Sequence, residues 1–250
     1  MEPRLGLALD SSPVAMVLLE ARRDAHGRVS DFTCAYLNSE AARIFGSEPA
    51  KLEGRGVREL LPDLRESHGL LDACGEVLEV GIGSGLNLPF YSSEVQRVYG
   101  VDPSAELLRM AHKRVPAGPA KVEFLSQSAE ELLPLATGSI DTVVMTWTLC
   151  SIPNTRQALH QMKRVLKATG RLIFVEHGRA PDASVAVWQD RLTPLWKRIG
   201  GGCHLNRRID ELITAAGFVI VELRTCYLPG PRPMTYTYQG FAQPIRQGSA

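Results

Sequence analysis

From residue 75 onward, short apolar runs alternate with stretches whose apolar residues recur every three or four positions. The runs predict strands over residues 77–80, 97–101, 122–125, 140–146 and 171–176. Two helices fall between them. One covers 105–115, with Leu107, Leu108, Ala111 and Val115 at helical spacing, and stops at the proline- and glycine-rich residues 116–119. The other covers 155–168, with Leu159, Met162, Val165 and Leu166 inward and Gly170 at its C-terminal stop. Residues 140–146 are nearly all apolar, as expected of a strand covered on both faces. Strands alternating with helices imply right-handed crossovers and a parallel sheet.

Further on, the rhythm changes. Residues 184–199 read as a helix apart from Pro194, with Trp188 and Trp196 on one face, either as a core stripe or as the wall of an apolar site. Asn206 is placed to cap a helix over 207–216, ended by Gly217. Two strands, 218–227 and 234–241, then form a terminal hairpin across Pro229, Gly230 and Pro231. The first 67 residues follow a different pattern. Strands are expected over 14–19 and 31–37, with a turn over 24–28. A short helix follows, capped by Asn38 and stopped at Gly46.

Composition narrows the class. The chain has 250 residues, 44% hydrophobic, enough for one sizeable domain or two small ones. A net charge of +1 gives no electrostatic case for nucleic acid and leaves room only for weak peripheral membrane contact. The five cysteines are odd in number and form no C-x-x-C, so neither a disulfide framework nor a zinc knuckle is expected, and no residue is assigned to a metal. A reducing, cytoplasmic setting fits best. The N-terminus has neither the basic segment nor the long apolar core of a signal peptide. No apolar run approaches the ~20 residues that cross a bilayer as a helix.

The most informative stretch is the glycine turn after the first of these sheet strands. Glu79, Gly81, Gly83 and Gly85 stand in the pattern E-x-G-x-G-x-G, with a helix expected to begin at Leu86, Asn87 and Leu88. Glycines allow a sharp turn and close approach of a ligand to the backbone. Asp102 closes the next strand, where a carboxylate can accept hydrogen bonds from both ribose hydroxyls. Together they describe a site for an adenosine-containing ligand. The dinucleotide fingerprint needs G-x-G-x-x-G, and here the third glycine comes one residue early. A pyrophosphate also needs a helix N-terminus aimed at it.

The glycine pattern resembles motif I of the class I S-adenosylmethionine-dependent methyltransferases. Residues 75 to about 243 resemble their type 11 group, and within it the bacterial relatives of mammalian thiol methyltransferases. The resemblance is carried by residues 78–87 and 100–104, by Thr148 to Pro153, by Glu176, His177 and Gly178, by Trp188, Gln189 and Asp190, and by Gly201 to Arg207. It implies an α/β, Rossmann-like fold: a mostly parallel seven-stranded sheet with a C-terminal antiparallel hairpin, over residues 68–250. Residues 1–67 resemble the first half of a PAS sensor domain. This rests on Ser12 and Pro13, on residues 38–42, and on residues 52–55 leading to Leu60, Leu61 and Pro62. They are expected to form a small, partial α+β PAS-like segment, or simply an extension with one hairpin. Three departures from the family stand out. Ser128 occupies a position often held by Asp, the segment at Glu130 to Pro134 is one residue longer, and the PAS-like piece replaces a helical segment that commonly helps cover the cofactor.

The resemblance implies S-adenosylmethionine as cofactor. Glu79 and Gly81 would sit at its amino-acid tail, for which Gly83 and Gly85 also make room, and Asn87 would be a further cofactor-binding residue. Asp102 would bind its ribose, and Pro103, Ser128 and Ala129 would flank its adenine. Thr146 ends the fourth of these strands beside the same crevice, followed by Trp147, Thr148 and Cys150. Methyl transfer is an in-line displacement for which a protein mainly supplies alignment and exclusion of water. Three residues are candidates at the reacting centre. Cys150 follows the fourth strand and is otherwise a small buried side chain. His177 ends the fifth strand and can accept a proton, or is simply a hydrogen-bonded loop histidine. His204 lies in a glycine-rich loop. The expected reaction is methyl transfer to a small, fairly apolar acceptor, a thiol first, with an amine, lipid or quinone acceptor behind it. Two other functions compete: a sensory module with a vestigial cofactor pocket, and a nicotinamide-dependent oxidoreductase, disfavoured by glycine spacing and the terminal hairpin.

Overall fold

The structure is a computed structural model that describes residues 17–23, 29–44, 47–56, 59, 73–92, 94–115, 120–228 and 230–245. The expectations for Ser12, Pro13, residues 24–28, Gly46, residues 60–62 and residues 116–119 lie outside these. The chain divides into two units, residues 1–67 and 68–250.

In the first unit, β1 (Val17–Arg23) and β2 (Val29–Leu37) pair antiparallel from Val17 opposite Leu37 to Arg23 opposite Val29. The strands form the expected hairpin and reach further towards the turn than expected, while residues 14–16 of the first expected strand lie outside the described residues. The helix α1 (Ser39–Ile44) begins where Asn38 predicts, because the buried Asn38 Oδ1 accepts the Ala41 N–H at 3.0 Å. A second short helix, α2 (Pro49–Leu52), brings Leu52 onto Cys34, Leu37, Ala41 and Ala42.

The second unit is built on a seven-stranded sheet. Its strands are β3 (Gly75–Val80), β4 (Val95–Val101), β5 (Lys121–Leu125), β6 (Ile140–Thr146), β7 (Leu166–His177), β8 (Phe218–Tyr227) and β9 (Tyr236–Pro244). Their spatial order is β5-β4-β3-β6-β7-β9-β8. β3 to β7 are parallel, and only β9 runs against its neighbours. This is the mostly parallel sheet with an antiparallel terminal hairpin that the alternation of elements predicts. β3 lies between β4 and β6, so the strand order reverses beside it, and the crevice beyond the carboxyl ends of β3, β4 and β6 is where such sheets bind ligands.

Several elements depart from expectation. No α-helix follows the glycine turn; Leu88–Phe90 makes one 3-10 turn, and β4 begins at Val95. Pro89 has no N–H to give, and the Asn87 side chain is drawn inward to Glu79 and Thr146. The helix α3 (Ala105–His112) buries Leu108 and Ala111 but leaves Leu107 partly exposed. The helix α4 (Thr155–Val165) stops earlier than Gly170 suggests, because Leu166 turns extended and pairs with Ile140. Gly170 instead lies within β7, where a Cβ would stand 2.9 Å from the Asp141 carbonyl oxygen. α5 (Ala183–Ile199) runs straight through Pro194, and α6 (Ile209–Ala215) is entered from Arg208, since Asn206 donates to Asp190 at 2.8 Å and does not cap it. A one-turn helix, α7 (Arg232–Thr235), delays β9 to Tyr236.

The core lies on both faces of the sheet, around Leu78, Met145, Phe174 and Phe218 on one side and Val77, Val98, Val144 and Ile173 on the other. At the hairpin, Gly240 pairs with Leu223, just beyond a bulge between Ile220 and Glu222, and a Cβ there would lie 2.0 Å from the Glu222 carbonyl oxygen. The atoms it would meet are β8 backbone and cannot give way cheaply. Gly240→Ala should therefore destabilise the second unit by about 1–3 kcal/mol in chemical denaturation.

Candidate active site

A cleft of about 560 Å³ opens at the reversal point of the sheet. Its floor is the turn after β3. Gly81 takes φ +69° and Gly83 φ +53°, both in the left-handed region that favours glycine. A Cβ at Gly81 would stand 2.2 Å from Thr148 Oγ1, whereas a Cβ at Gly83 would meet only a carbonyl at 3.9 Å. Gly81 is thus fixed by packing and Gly83 leaves open space for a ligand. Asp102 follows β4, with Oδ2 accepting the Gly83 N–H at 3.0 Å and Oδ1 accepting the Ser104 N–H at 2.8 Å. Both bonds hold the carboxylate at the cleft wall. Pro103, Ser128, Ala129 and Thr146 line the same cleft.

Six of the proposed cofactor residues therefore share one wall system with Asp102 at its centre. The other three do not face the cleft. Gly85 is buried, and a Cβ there would stand within 3.0 Å of Leu88 and Ala111, so its glycine serves packing. Glu79 is 1% exposed, its oxygens taken by Asn87 Nδ2 at 2.9 Å and Tyr91 Oη at 2.8 Å. Burial pushes its carboxyl up to about 7, against those two hydrogen bonds. Asn87 Nδ2 also reaches Thr146 Oγ1 at 2.6 Å. Glu79 and Asn87 act on the cleft through Thr146, from beneath.

The cleft suits one kind of nucleoside. No lysine, arginine or histidine is among its lining residues, and its charged group is a carboxylate. A pyrophosphate would find no cation there, and no α-helix after the glycine turn to aim its N-terminus at it. An uncharged sugar and base with a cationic tail would meet the Asp102 carboxylate and an apolar floor of Val80, Val101 and Ala129.

The opposite wall is the loop after β6, and it is held from three sides. Glu176, fully buried on β7, accepts the Thr148, Leu149 and Cys150 N–H groups at 2.9, 2.8 and 3.3 Å. Burial pushes its carboxyl up to about 8 in spite of these three donors. Arg207 Nη1 donates to the Leu149 and Ile152 carbonyls at 2.5 and 2.7 Å. His204 bonds the Cys150 carbonyl twice, through its backbone N–H at 2.8 Å and Nδ1 at 3.2 Å. A carbonyl only accepts, so Nδ1 carries the proton. The His204 side chain is committed to this clamp and lines neither the cleft nor the chamber behind it.

Behind the loop lies a smaller chamber of about 210 Å³, which shares Trp147 and Ser151 with the cleft. Cys150 and His177, two of the expected reacting residues, both line it. Trp196 lines it too, while Trp188 points away and is 54% exposed beneath Arg191. The two tryptophans therefore share neither core nor wall. Sequence reasoning missed Glu176 and Arg207 as parts of the site. Their one signal was their place in the motifs around His177 and Cys203. Removing the Glu176 carboxylate would orphan three buried N–H groups, each worth roughly 1–3 kcal/mol. Glu176→Ala should lower the melting temperature by at least roughly 6 °C, and Glu176→Gln, which keeps one accepting oxygen, should recover part of that loss in the same thermal melts.

Comparison with known proteins agrees with this geometry. The methyltransferase domain family matches residues 78–174. A thiol S-methyltransferase of Rattus norvegicus is 36% identical over 176 residues, 69% of this chain and 71% of that protein. A phosphatidylethanolamine N-methyltransferase of Cereibacter sphaeroides is 36% identical over 157 residues, 62% of this chain and 75% of that protein. Among solved structures, a SAM-dependent methyltransferase from Methanosarcina mazei shares the fold at 23% identity, with a TM-score of 0.55, over 74% of this chain and 97% of that one. With a relative matched over more than two thirds of both chains, and with a cleft built for a phosphate-free nucleoside, the chain belongs to the S-adenosylmethionine-dependent methyltransferase family.

Proposed function

We propose that this enzyme transfers a methyl group from S-adenosylmethionine to a small, uncharged thiol. The observation that carries the reading is the cation-free cleft at the strand-order reversal, with Asp102 fixed at its wall by two backbone donors. In this reading Asp102 takes the ribose hydroxyls, Gly83 admits the tail, and Pro103, Ser128 and Ala129 flank the adenine. Glu79 lends its buried charge to the tail's ammonium through the Asn87 and Thr146 layer. The cofactor supplies an activated methyl group; the chain supplies alignment and keeps water out. Two relatives named as thiol S-methyltransferases, from Rattus norvegicus and Homo sapiens, support the thiol. An amine acceptor is the second reading, supported by the Cereibacter sphaeroides relative. The five cysteines are all free, which suits a reducing cytoplasm. For the first 67 residues we retain the partial PAS-like reading.

Calorimetry tests the cofactor site. Asp102→Ala should weaken S-adenosylmethionine binding by roughly tenfold or more, the effect of losing hydrogen bonds to a charged group, while the protein stays folded by circular dichroism. Unchanged affinity would remove Asp102 from the site, and binding of NAD with neither S-adenosylmethionine nor S-adenosylhomocysteine would reject the reading. The Glu79 carboxyl, raised to about 7, is mostly protonated at pH 6 and ionised above. Affinity for the cationic cofactor should therefore rise from pH 6 to 7.5, and Glu79→Gln should flatten that slope.

A further inference from the structure

The helix α5 buries one side and turns the other to solvent. Val185, Ala186, Gln189 and Thr193 are buried. Gln189 fixes the helix about its axis: its Oε1 accepts the Ala180 N–H at 2.8 Å, and its Nε2 donates to the Gly178 and Pro233 carbonyls at 3.0 and 3.1 Å. Which residues face outward is therefore set by the fold.

The outward side is not the polar one that water calls for. Val187, Trp188, Leu195 and Ile199 are 47, 54, 61 and 71% exposed. At 3.6 residues per turn they share an arc of about 120° with Arg191 and Arg198, and the buried residues occupy the opposite arc. A surface helix normally turns charged and polar side chains to water. Single exposed apolar residues are ordinary. Four large ones along the same side of a helix about 25 Å long form a continuous patch, which marks a contact surface.

The charges on this side all have one sign. Arg191 and Arg198 lie within the arc, and the exposed Lys197 flanks it. The helix's one carboxylate, Asp190, lies outside the arc and is already engaged, by Arg179 at 2.8 and 3.1 Å and by Asn206 at 2.8 Å. The chain's net charge of +1 hides this local excess. Arg191 lies over the Trp188 ring, 5.8 Å from its centroid. An apolar pocket on a protein partner would desolvate both arginines without pairing them. A phospholipid surface takes the whole pattern: apolar side chains enter the acyl boundary, and the arginine stems reach back to phosphate oxygens. Indoles favour that same boundary.

We propose that the outward face of α5 docks the protein on an anionic phospholipid surface. Trp188, Leu195 and Ile199 enter the boundary, and Arg191, Lys197 and Arg198 select for negative headgroups. The same helix leads to the cofactor site. Ile199, the most exposed of the four apolar residues, stands two positions before Gly201, and Gly201 and Gly202 line the cofactor cleft. Docking therefore brings the rim of the cleft to the phase in which apolar acceptors concentrate. That consequence for turnover rests on the methyl-transfer reading above; the docking itself does not.

Cosedimentation of the full chain with vesicles tests it. Each cation near an anionic surface contributes about fivefold in affinity. Wild type should therefore bind vesicles of phosphatidylcholine with about one third phosphatidylglycerol roughly 100-fold more tightly than pure phosphatidylcholine. Arg191→Glu combined with Arg198→Glu should abolish that preference. Leu195→Ser combined with Ile199→Ser should weaken binding to the anionic vesicles by roughly tenfold or more. All four side chains are exposed, so both double variants should keep the wild-type circular dichroism and S-adenosylmethionine affinity. Brominated acyl chains should quench the tryptophan fluorescence of wild type, and Trp188→Phe should remove most of that quenching. Equal binding to the two compositions, or binding that either double variant leaves intact, would overturn the proposal. Quenching that persists in Trp188→Phe would put a different face on the lipid and overturn it as well. Absence of vesicle binding, together with a dimer that Leu195→Ser and Ile199→Ser dissociate, would make the face an interface between copies instead. Vesicle binding without turnover of any thiol would uphold the docking and remove the thiol reading, so the two failures are read separately.

Discussion

The site depends on one buried carboxylate. Glu176 accepts three successive N–H groups from the loop after β6. The loop is the far wall of the cofactor cleft and the near wall of the smaller chamber. Arg207 and His204 take its carbonyls from the other side, so the segment is satisfied on both edges without being a strand or a helix. An irregular buried segment needs this complete accounting, because each unpaired backbone group would cost as much as a lost hydrogen bond. The carboxyl itself is desolvated, which is why its pKa rises to about 8. The fold accepts that cost in return for a rigid partition.

The cleft follows from topology. β3 lies at the reversal of strand order, and its carboxyl end can only turn out over the sheet. Gly81 makes that turn against Thr148, Gly83 leaves room above it, and Asp102 on the neighbouring strand ties the turn down through the Gly83 N–H. The absence of an α-helix after the turn removes the phosphate-binding device of dinucleotide enzymes. The short 3-10 turn and the lack of lysine or arginine at the cleft point the same way, towards a nucleoside without phosphates.

Much of this was legible in the sequence because it is local. Ile140–Thr146 reads as a doubly buried strand and is one, to the residue. Asn38 caps its helix, and the glycine spacing and Asp102 converge on one cleft. What failed to show was decided by distant partners. Leu166 leaves its helix early because Ile140 offers a strand pairing. Asn206 abandons the helix it precedes because Asp190, sixteen residues away, accepts its side chain. Trp188 and Trp196 are eight positions apart, which on an α-helix of 3.6 residues per turn is about 80° of rotation, enough to put one in solvent and the other on a cavity wall. Glu176 reads as a strand-end charge, and only the fold reveals the three N–H groups beneath it.

A sulfonium donor shifts the burden of catalysis. Its methyl carbon is already electrophilic, so charge is lost in the transition state when the nucleophile is a thiolate, and a dry, apolar surrounding favours that cancellation. The same apolar surrounding works against forming the thiolate, because burial raises the pKa of a thiol. A site for thiols therefore has to be apolar around the reacting carbon and basic at one point beside it. Trp147, parallel to the His177 ring with centroids 6.4 Å apart, gives the cleft an apolar boundary on that side.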